Sequence, residues 1–322
     1  MNSLRPFLAF ALCLTVALAT ADPAALDAAR ALYKEKGKSA EAQKAFEAIA
    51  AVDPKCAEAH FFLAQLALRR SDNDKAIALA EKAVALAPGN ADYHHTLGDA
   101  FGSAAEKASV FSQFGLAKKC VAAYEHAVAL APDKVEFHQS LLEYYRQAPG
   151  LVGGGMDKAL AEAGVITKLD PVAGHTSYVT VLAGDKKFDE ARLHAAELKK
   201  LDSMRGRMAL ASLYSAEKKF DQALAEFDEV LQTAPDDYAA LYQLGKLAAQ
   251  SGQFLDRGLA ALRRCLELTP GKTDPGHPAA HWRIGNIHEK KNDPAAARAA
   301  YQAALKLEPN FTQAADALKK LK

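Results

Sequence analysis

A proline closes one amphipathic run after another along the chain, and a small residue stands twelve positions before each of these prolines. The interval from Pro54 to Pro88 is 34 residues. In the copy between Pro278 and Pro309, apolar, small or ring-bearing residues recur three and four positions apart, which places each set on one face of a helix. The pattern predicts tandem helical hairpins, closed at Pro54, Pro88, Pro132, Pro171, Pro235, Pro270 and Pro309.

The repeated hairpins also predict how the core is built. A single hairpin cannot bury its apolar face alone, so neighbouring hairpins stack and share one continuous core. Hydrophobic residues make up 50% of the chain, which has one Trp and no alternating β-branched runs, as is typical of packed helices. We therefore expect an all-α, curved solenoid. Close contact between the helices of a hairpin is expected at Gly98, Gly245 and Gly285 on first helices and at Ala76, Ala159 and Ala297 on second helices.

Paired marks within the hairpins point to a known family. They are Leu97-Gly98 with Phe101, Leu244-Gly245 and Ile284-Gly285 on first helices, and Ala42 with Phe46, Ala223 with Phe227 and Ala297 with Tyr301 on second helices. With these marks and this period, the chain resembles the tetratricopeptide repeat family. The resemblance implies a right-handed superhelical solenoid over 22–309, with a capping helix at 312–322. About eight units are expected, near 23–56, 57–90, 91–134, 135–171, 172–203, 204–237, 238–277 and 278–311.

Residues 1–21 predict a secretory signal peptide. Arg5 precedes an apolar core from Phe7 to Ala19, and Ala19-Thr20-Ala21 matches a cleavage site. An uncleaved anchor is the alternative, but no second hydrophobic stretch follows, so we expect an exported, periplasmic or secreted protein with no transmembrane span in the mature chain. Without residues 1–21 the chain has 39 basic and 39 acidic side chains, which gives no electrostatic footprint for nucleic acid.

Two segments exceed the regular repeat, 102–119 and 146–158. Both fall in the turn inside a hairpin, so we expect two extended loops that emerge on one edge and lie side by side. The pair, an FGLA-type turn and an AP-x-x-x-GGG turn, is similar to that of uncharacterised exported bacterial repeat proteins. Gly153-Gly154-Gly155 is interpreted as a flexible connector, because Met156-Asp157-Lys158 replaces the Gly-Lys-Ser/Thr of a phosphate loop.

Histidines recur at one repeat position, at His60, His94, His138, His175 and His281. Equivalent residues of stacked helices lie about 8–10 Å apart, whereas the ligands of one zinc ion lie about 2 Å from it. The histidine ladder is therefore interpreted as structural, with a weak local site at His94, His95 and Asp99 as the alternative. No metal or cofactor is predicted.

The sequence contains no recognisable catalytic motif. Neither G-x-S-x-G nor H-E-x-x-H occurs, and the expected mature chain holds an odd number of cysteines without a C-x-x-C pair. Cys56, Cys120 and Cys265 are interpreted as free thiols, mostly buried. We therefore predict that the protein is not an enzyme.

The family resemblance implies that first helices line a concave groove. The expected groove residues are Phe61, Gln65, His95, Asp99, Gln139, Glu143, Met208, Ser212, Tyr242, Lys246, Trp282 and Asn286. Aromatic side chains flanked by amides and charges anchor peptides or partner helices. The alternative is that neighbouring units cover these aromatics as core. Asp27 with Ala31, and Phe61 with Gln65, depart from the Lys and Asn of the carboxylate clamp in chaperone-binding members.

These observations predict a non-enzymatic protein- or peptide-binding scaffold, exported to the cell envelope. Binding is expected through the concave groove and the extended loops 102–119 and 146–158. The alternative is a small-ligand-binding accessory component of an envelope transport system, with the ligand between the loop at 150–155 and the groove. An enzyme without familiar motifs would need a cluster of titratable groups in one pocket.

Overall fold

The computed structural model describes residues 20–321. The expected signal segment at 1–21 lies outside the described residues, except for its last two positions. The chain divides into two compact units after Gly155, which we call unit 1 and unit 2. This division falls inside the repeat expected at 135–171.

Unit 1 is built from consecutive hairpins. Its buried core includes Phe46, Leu63 and Leu66, which come from two successive helices. The helices are α1 (Pro23–Lys34), α2 (Ser39–Val52), α3 (Ala57–Arg69), α4 (Asn73–Leu86), α5 (Ala91–Lys107), α6 (Val110–Leu130) and α7 (Val135–Gln147), followed by a 3-10 turn (Gly150–Val152).

Unit 2 continues the same construction. Its helices are α8 (Met156–Leu169), α9 (Pro171–Gly184), α10 (Phe188–Leu201), α11 (Ser203–Ala216), α12 (Phe220–Thr233), α13 (Tyr238–Ser251), α14 (Leu255–Glu267), α15 (His277–Lys290), α16 (Pro294–Leu307) and α17 (Thr312–Lys320). The regular structure of residues 20–321 is entirely helical, which confirms the all-α class. No helix among these residues combines the length and apolarity that a bilayer span requires.

The glycines expected at the contact inside a hairpin do allow close approach. A Cβ atom on Gly285 would lie 2.2 Å from Cε1 of Tyr301, and one on Gly98 would lie 2.5 Å from Cδ1 of Tyr124. Each glycine of the first helix therefore accepts a large side chain of the second helix. This confirms the predicted close contact and explains why a larger residue would displace the ring at these positions.

Two connections in unit 2 consist of a single residue. Only Asp170 separates α8 from α9, and only Asp202 separates α10 from α11. The carboxylate of Asp170 accepts from the backbone N–H of Ala173, and that of Asp202 accepts from Arg205, each at 3.0 Å. Pro171 therefore does not close a helix as expected. It is the first residue of α9, where a missing N–H costs nothing.

Such short connections place the start of one helix against the end of the previous one. A Cβ atom on Gly206 would lie 2.2 Å from both the backbone N and the Cα atom of Lys199. Gly174 meets the backbone of Thr167 in the same way. Because backbone atoms cannot rotate aside, glycine four residues after the capping aspartate is a steric requirement of this connection.

The segment 102–119 is helical, so the extended loop expected there is wrong. α5 continues to Lys107 and α6 begins at Val110, which leaves only Ala108 and Ser109 between them. The extra residues lengthen both helices, to 17 and 21 residues. The segment is rich in alanine and lysine and contains no proline, so further helical turns are more favourable than a long loop.

The loop expected at 146–158 is shorter than predicted, because α7 and α8 include its two ends. Between them lie the 3-10 turn and Gly153, whose φ of 94° lies in the left-handed region that favours glycine. The hydroxyl of Tyr144 lies 2.9 Å from the carbonyl oxygen of Ala117 and 2.7 Å from that of Val152. The two extra segments therefore lie side by side, as expected.

We predict that Gly206→Ala destabilises unit 2 by about 1–3 kcal/mol, because the new methyl group overpacks the contact with the backbone of Lys199. Urea unfolding followed by circular dichroism measures the loss. Gly89→Ala is the matched control, since a Cβ atom on Gly89 meets nothing within 4 Å. Equal midpoints for the two variants would contradict this account of the short connection.

Candidate functional site

The extra segments of unit 1 border an open cavity of about 710 Å³. Its walls come from α5, the lengthened start of α6, α7 and the 3-10 turn. Apolar lining is supplied by Ala105, Val110, Phe114, Ala117, Leu151 and Val152. Two predicted groove residues, Gln139 and Glu143, also line this cavity, whereas the repeat pattern itself gave no indication of its apolar wall.

Large apolar side chains around the cavity are exposed. The exposed fraction is 80% for Val110, 95% for Phe111, 44% for Phe114 and 82% for Leu151. All four belong to the extra segments and stand outside the repeat period. We call these four residues the apolar rim. Exposed apolar side chains concentrated in one place are typical of interaction surfaces.

Three carboxylates line the cavity, those of Glu106, Glu136 and Glu143, whereas no lysine or arginine of the described chain lines it. Arg146 Nε donates to Glu143 Oε2 at 2.8 Å, and Gln147 also donates to Glu143. These hydrogen bonds lower the pKa of Glu143. Arg146 offsets the charge of Glu143, so the negative charge of this apolar cavity is carried mainly by Glu106 and Glu136.

A row of polar side chains connects the helices behind the cavity. His95 Nε2 lies 2.8 Å from Ser140 Oγ, and His95 Nδ1 lies 3.6 Å from Asp99 Oδ2. The hydroxyl of Tyr124 donates to Asp99 Oδ1 at 2.8 Å. Burial raises the pKa of Asp99, while the neighbouring His95 opposes this rise. The row joins α5, α6 and α7.

Ser140, His95 and Asp99 are the residue types of a hydrolytic triad and contact one another in that sequence. The geometry of the three side chains does not support acyl transfer. The His95–Asp99 separation exceeds hydrogen-bond distance. Ser140 also lies inside α7, where the surrounding backbone N–H groups are used within the helix and do not form an oxyanion hole. We interpret the row as a structural connection between helices.

The predicted groove residues of α3 pack between neighbouring helices. The ring of Phe61 lies 5.0 Å from that of Phe62 and 4.9 Å from that of Tyr93. Gln65 Oε1 accepts from the hydroxyl of Tyr33 at 2.6 Å. Phe61 and Gln65 are half-buried.

Unit 2 distributes its predicted groove residues differently. Tyr242 is 5% exposed and belongs to the core, so it is not the exposed groove anchor that was expected. The alternative, that a neighbouring helix covers the aromatic side chain, holds at this position. Lys246 is half-buried. A concave pocket with a volume of about 950 Å³ is lined mainly by residues of α9 and α11, among them the predicted Met208 and Ser212.

The last pair of predicted residues lies near the end of unit 2. Trp282 is half-buried, and its ring lies 6.1 Å from that of Phe311. The guanidinium carbon of Arg283 lies 4.1 Å from the ring centroid of Trp282. Asn286 Oδ1 accepts from the hydroxyl of Tyr301 at 2.8 Å. Both predicted residues therefore contribute to packing of the last helices.

The histidine ladder is structural at its first three positions. The Nε2 atoms of His60, His94 and His138 lie 3.0, 2.9 and 2.9 Å from the carbonyl oxygens of Pro54, Pro88 and Pro132, respectively. Because a carbonyl only accepts, each imidazole donates from Nε2. Each histidine thus binds the proline that lies six residues before it. No group of three or more metal-ligating side chains occurs in residues 20–321.

The three cysteines of the described chain are free thiols, as predicted. Cys56, Cys120 and Cys265 form no disulfide, and the last two are buried. Burial raises the pKa of Cys120 and of Cys265 to about 12, so both thiols stay protonated at neutral pH. Cys120 contributes to the wall of the cavity without being a nucleophile there.

The family models and one similar solved structure agree with this architecture. Models of the tetratricopeptide repeat match residues 26–91, 214–254 and 278–311. A tetratricopeptide repeat protein from Parabacteroides merdae ATCC 43184 is similar in structure, with a TM-score of 0.54 and 13% identity over 82% of this chain and 97% of that chain. TTC0263, a thermophilic repeat protein of Thermus thermophilus, has a TM-score of 0.41 and 20% identity over 76% of this chain and 98% of that chain. None of the curated proteins compared matches the sequence.

We predict that Tyr144→Phe raises amide hydrogen exchange in residues 148–155 about fivefold. The hydroxyl that donates to the carbonyl oxygen of Val152 in the 3-10 turn is lost, and such a bond contributes about 1 kcal/mol. Hydrogen exchange with mass spectrometry measures the change. Tyr145→Phe is the matched control, because the Tyr145 hydroxyl donates to Glu125 in α6. Unchanged exchange in Tyr144→Phe would show that the hydroxyl does not hold the turn.

Proposed function

Because the chain is a tetratricopeptide repeat protein, we propose that it is a non-enzymatic scaffold that binds a segment of another protein. The observation that carries this proposal is the cavity of unit 1 with its apolar rim. Exposure of the apolar side chains of Phe111 and Leu151 to water is unfavourable. A partner that buried them would gain about 1.5–3 kcal/mol of binding free energy for each side chain.

The charge of the cavity supports one kind of partner. Glu106, Glu136 and Glu143 line it without a lysine or arginine among the lining residues. A cationic side chain of a partner would meet carboxylates next to an apolar wall, which suits the long apolar stem of lysine or arginine. We propose that the partner segment carries apolar side chains flanked by lysine or arginine, and that Gln139 and Glu143 contact it.

The other half-buried residues predicted for the groove remain proposed contacts on the surfaces of their own units. They are Phe61, Gln65, His95, Asp99, Lys246, Trp282 and Asn286. Tyr242 is left out of this proposal because it is a core residue.

We also propose that the protein is exported to the cell envelope, in the periplasm or outside the cell. The support is the pattern of residues 1–21, with Arg5, an apolar core and Ala19-Thr20-Ala21. Fractionation of cells that express the full chain is expected to place it in the envelope or medium, and removal of residues 2–21 is expected to retain it in the cytoplasm. The same distribution for both chains would contradict export by this segment.

A small-ligand binder of an envelope transport system is the second candidate. The cavity volume of about 710 Å³ favours it, because small-molecule sites occupy about 300–1,000 Å³. Val110, Phe114 and Leu151 of the apolar rim line the cavity, whereas Phe111 does not. A ligand inside the cavity would leave that side chain exposed, whereas a protein segment would cover it.

Site-specific cross-linking in cells tests the scaffold. A photoactivatable amino acid replaces Leu151 in the full chain, and the same replacement at Val52, an exposed apolar residue of unit 1, is the control. We expect one dominant protein adduct from position 151 and none from position 52. Mass spectrometry then maps the captured segment, which is expected to contain apolar residues beside lysine or arginine.

The affinity of a synthetic peptide of that segment completes the test. We expect Leu151→Ser to weaken binding about tenfold or more, Glu136→Gln to weaken it several-fold in a salt-dependent manner, and Val52→Ser to leave it unchanged. Equal affinities for Leu151→Ser and the original chain would overturn the proposed surface. The absence of an adduct, together with a thermal shift caused by a small-molecule extract, would instead favour the ligand binder.

A further inference from the structure

His175 differs from the first three histidines of the ladder. Those three donate to a proline carbonyl six residues earlier, but the residue six positions before His175 is Leu169, inside α8. Only Asp170 connects α8 to α9, so no turn there offers a proline carbonyl to His175. His175 Nδ1 instead lies 3.0 Å from Nδ1 of His194.

The two imidazoles face each other across one hairpin, His175 from α9 and His194 from α10. The ring of Tyr178 stacks on that of His194, with centroids 4.0 Å apart and an angle of 11° between the planes. In the pair as it stands, one Nδ1 donates its proton and the other accepts, since two lone pairs would repel at this distance. Stacking fixes the orientation of the His194 ring, and both side chains are only half-buried.

Two carboxylates flank the pair. Glu190 stands four residues before His194 and Glu197 three residues after it, which places all three on one side of α10. Burial, and then the nearby His175, lower the pKa of His194, while Glu190 and Glu197 oppose this change. The carboxylate of Glu190 attracts a cation to the pair, whereas that of Glu197 accepts from Lys200 at 2.6 Å.

We propose that His175 and His194 form a two-histidine site for a late divalent transition-metal ion, with Cu²⁺ bound most tightly. Two nitrogens about 2.0 Å from one ion and at right angles to each other lie about 2.8 Å apart. The observed separation of 3.0 Å is close to this value, and each ring must turn so that its Nδ1 lone pair points to the ion instead of to the other nitrogen. Because residues 20–321 contain no group of three or more metal-ligating side chains, water completes the coordination.

Metal binding releases one proton and takes up one proton, and no atom changes its oxidation state. The proton shared between the Nδ1 atoms leaves, and the ring that held it takes up a proton at Nε2 from solvent. Each Nδ1 then offers a lone pair to the ion, and both imidazoles remain neutral. Imidazole ligands favour Cu²⁺ over Ni²⁺ and Zn²⁺, whereas Mg²⁺ and Ca²⁺ prefer oxygen ligands.

Copper titration of the untagged, metal-free protein tests the site. Calorimetry is expected to show one Cu²⁺ per chain, weaker binding of Ni²⁺ and Zn²⁺, and none of Mg²⁺. We expect His175→Asn and His194→Asn each to lower the Cu²⁺ affinity at least about tenfold, as two-point ligation becomes one-point ligation. The double variant His94→Asn/His126→Asn is the control, since these rings stack but engage backbone carbonyls through Nε2 and Nδ1.

Electron paramagnetic resonance on the unaltered protein gives a readout independent of any variant. Hyperfine splitting from two equatorial imidazole nitrogens is expected, and from one nitrogen in each single variant. Melting curves without metal check that the variants fold. Equal Cu²⁺ affinity in His175→Asn and the original chain, or a spectrum without two imidazole nitrogens, would overturn the proposed site.

Discussion

Several hairpins hold their two helices together at a position where one of them has almost no side chain. Where Gly285 meets Tyr301, or Gly98 meets Tyr124, the space of a missing methyl group is occupied by a ring of the partner helix. The polar row that joins α5, α6 and α7 is built on this contact, because the hydroxyl of Tyr124 donates to Asp99, the residue that follows Gly98.

The repeat pattern predicted the helical architecture because its physical causes are local. Small residues, apolar spacing and prolines each act within one hairpin, so they can be read from a short window of sequence. The helical extensions of α5 and α6 were missed because a count of extra residues does not distinguish a loop from additional helical turns. The composition of 102–119, rich in helix-forming residues, contained the information that decides between them.

The candidate site was predictable only in part. Gln139 and Glu143 follow from their position in a first helix. The segments 102–119 and 146–158 were also expected to take part in binding, but the regular repeat has no counterpart for them that would single out Phe111 and Leu151. Tyr242 was predicted as an exposed groove residue but is buried. Equivalent positions of a repeat are exposed or buried depending on the side chains of the neighbouring helix. His175 lies next to His194 in a hairpin whose preceding connection is one residue long, a length that the proline pattern did not reveal.

The contact between a histidine and the proline six residues before it has a consequence for the history of the chain. Both partners of the contact at His60, and again at His94 and His138, lie within a seven-residue stretch that spans the junction of two hairpins. A gene segment that is copied with this stretch carries both partners of the contact. Duplication can therefore lengthen such an array and supply the same histidine–proline contact at the new junction without a second mutation.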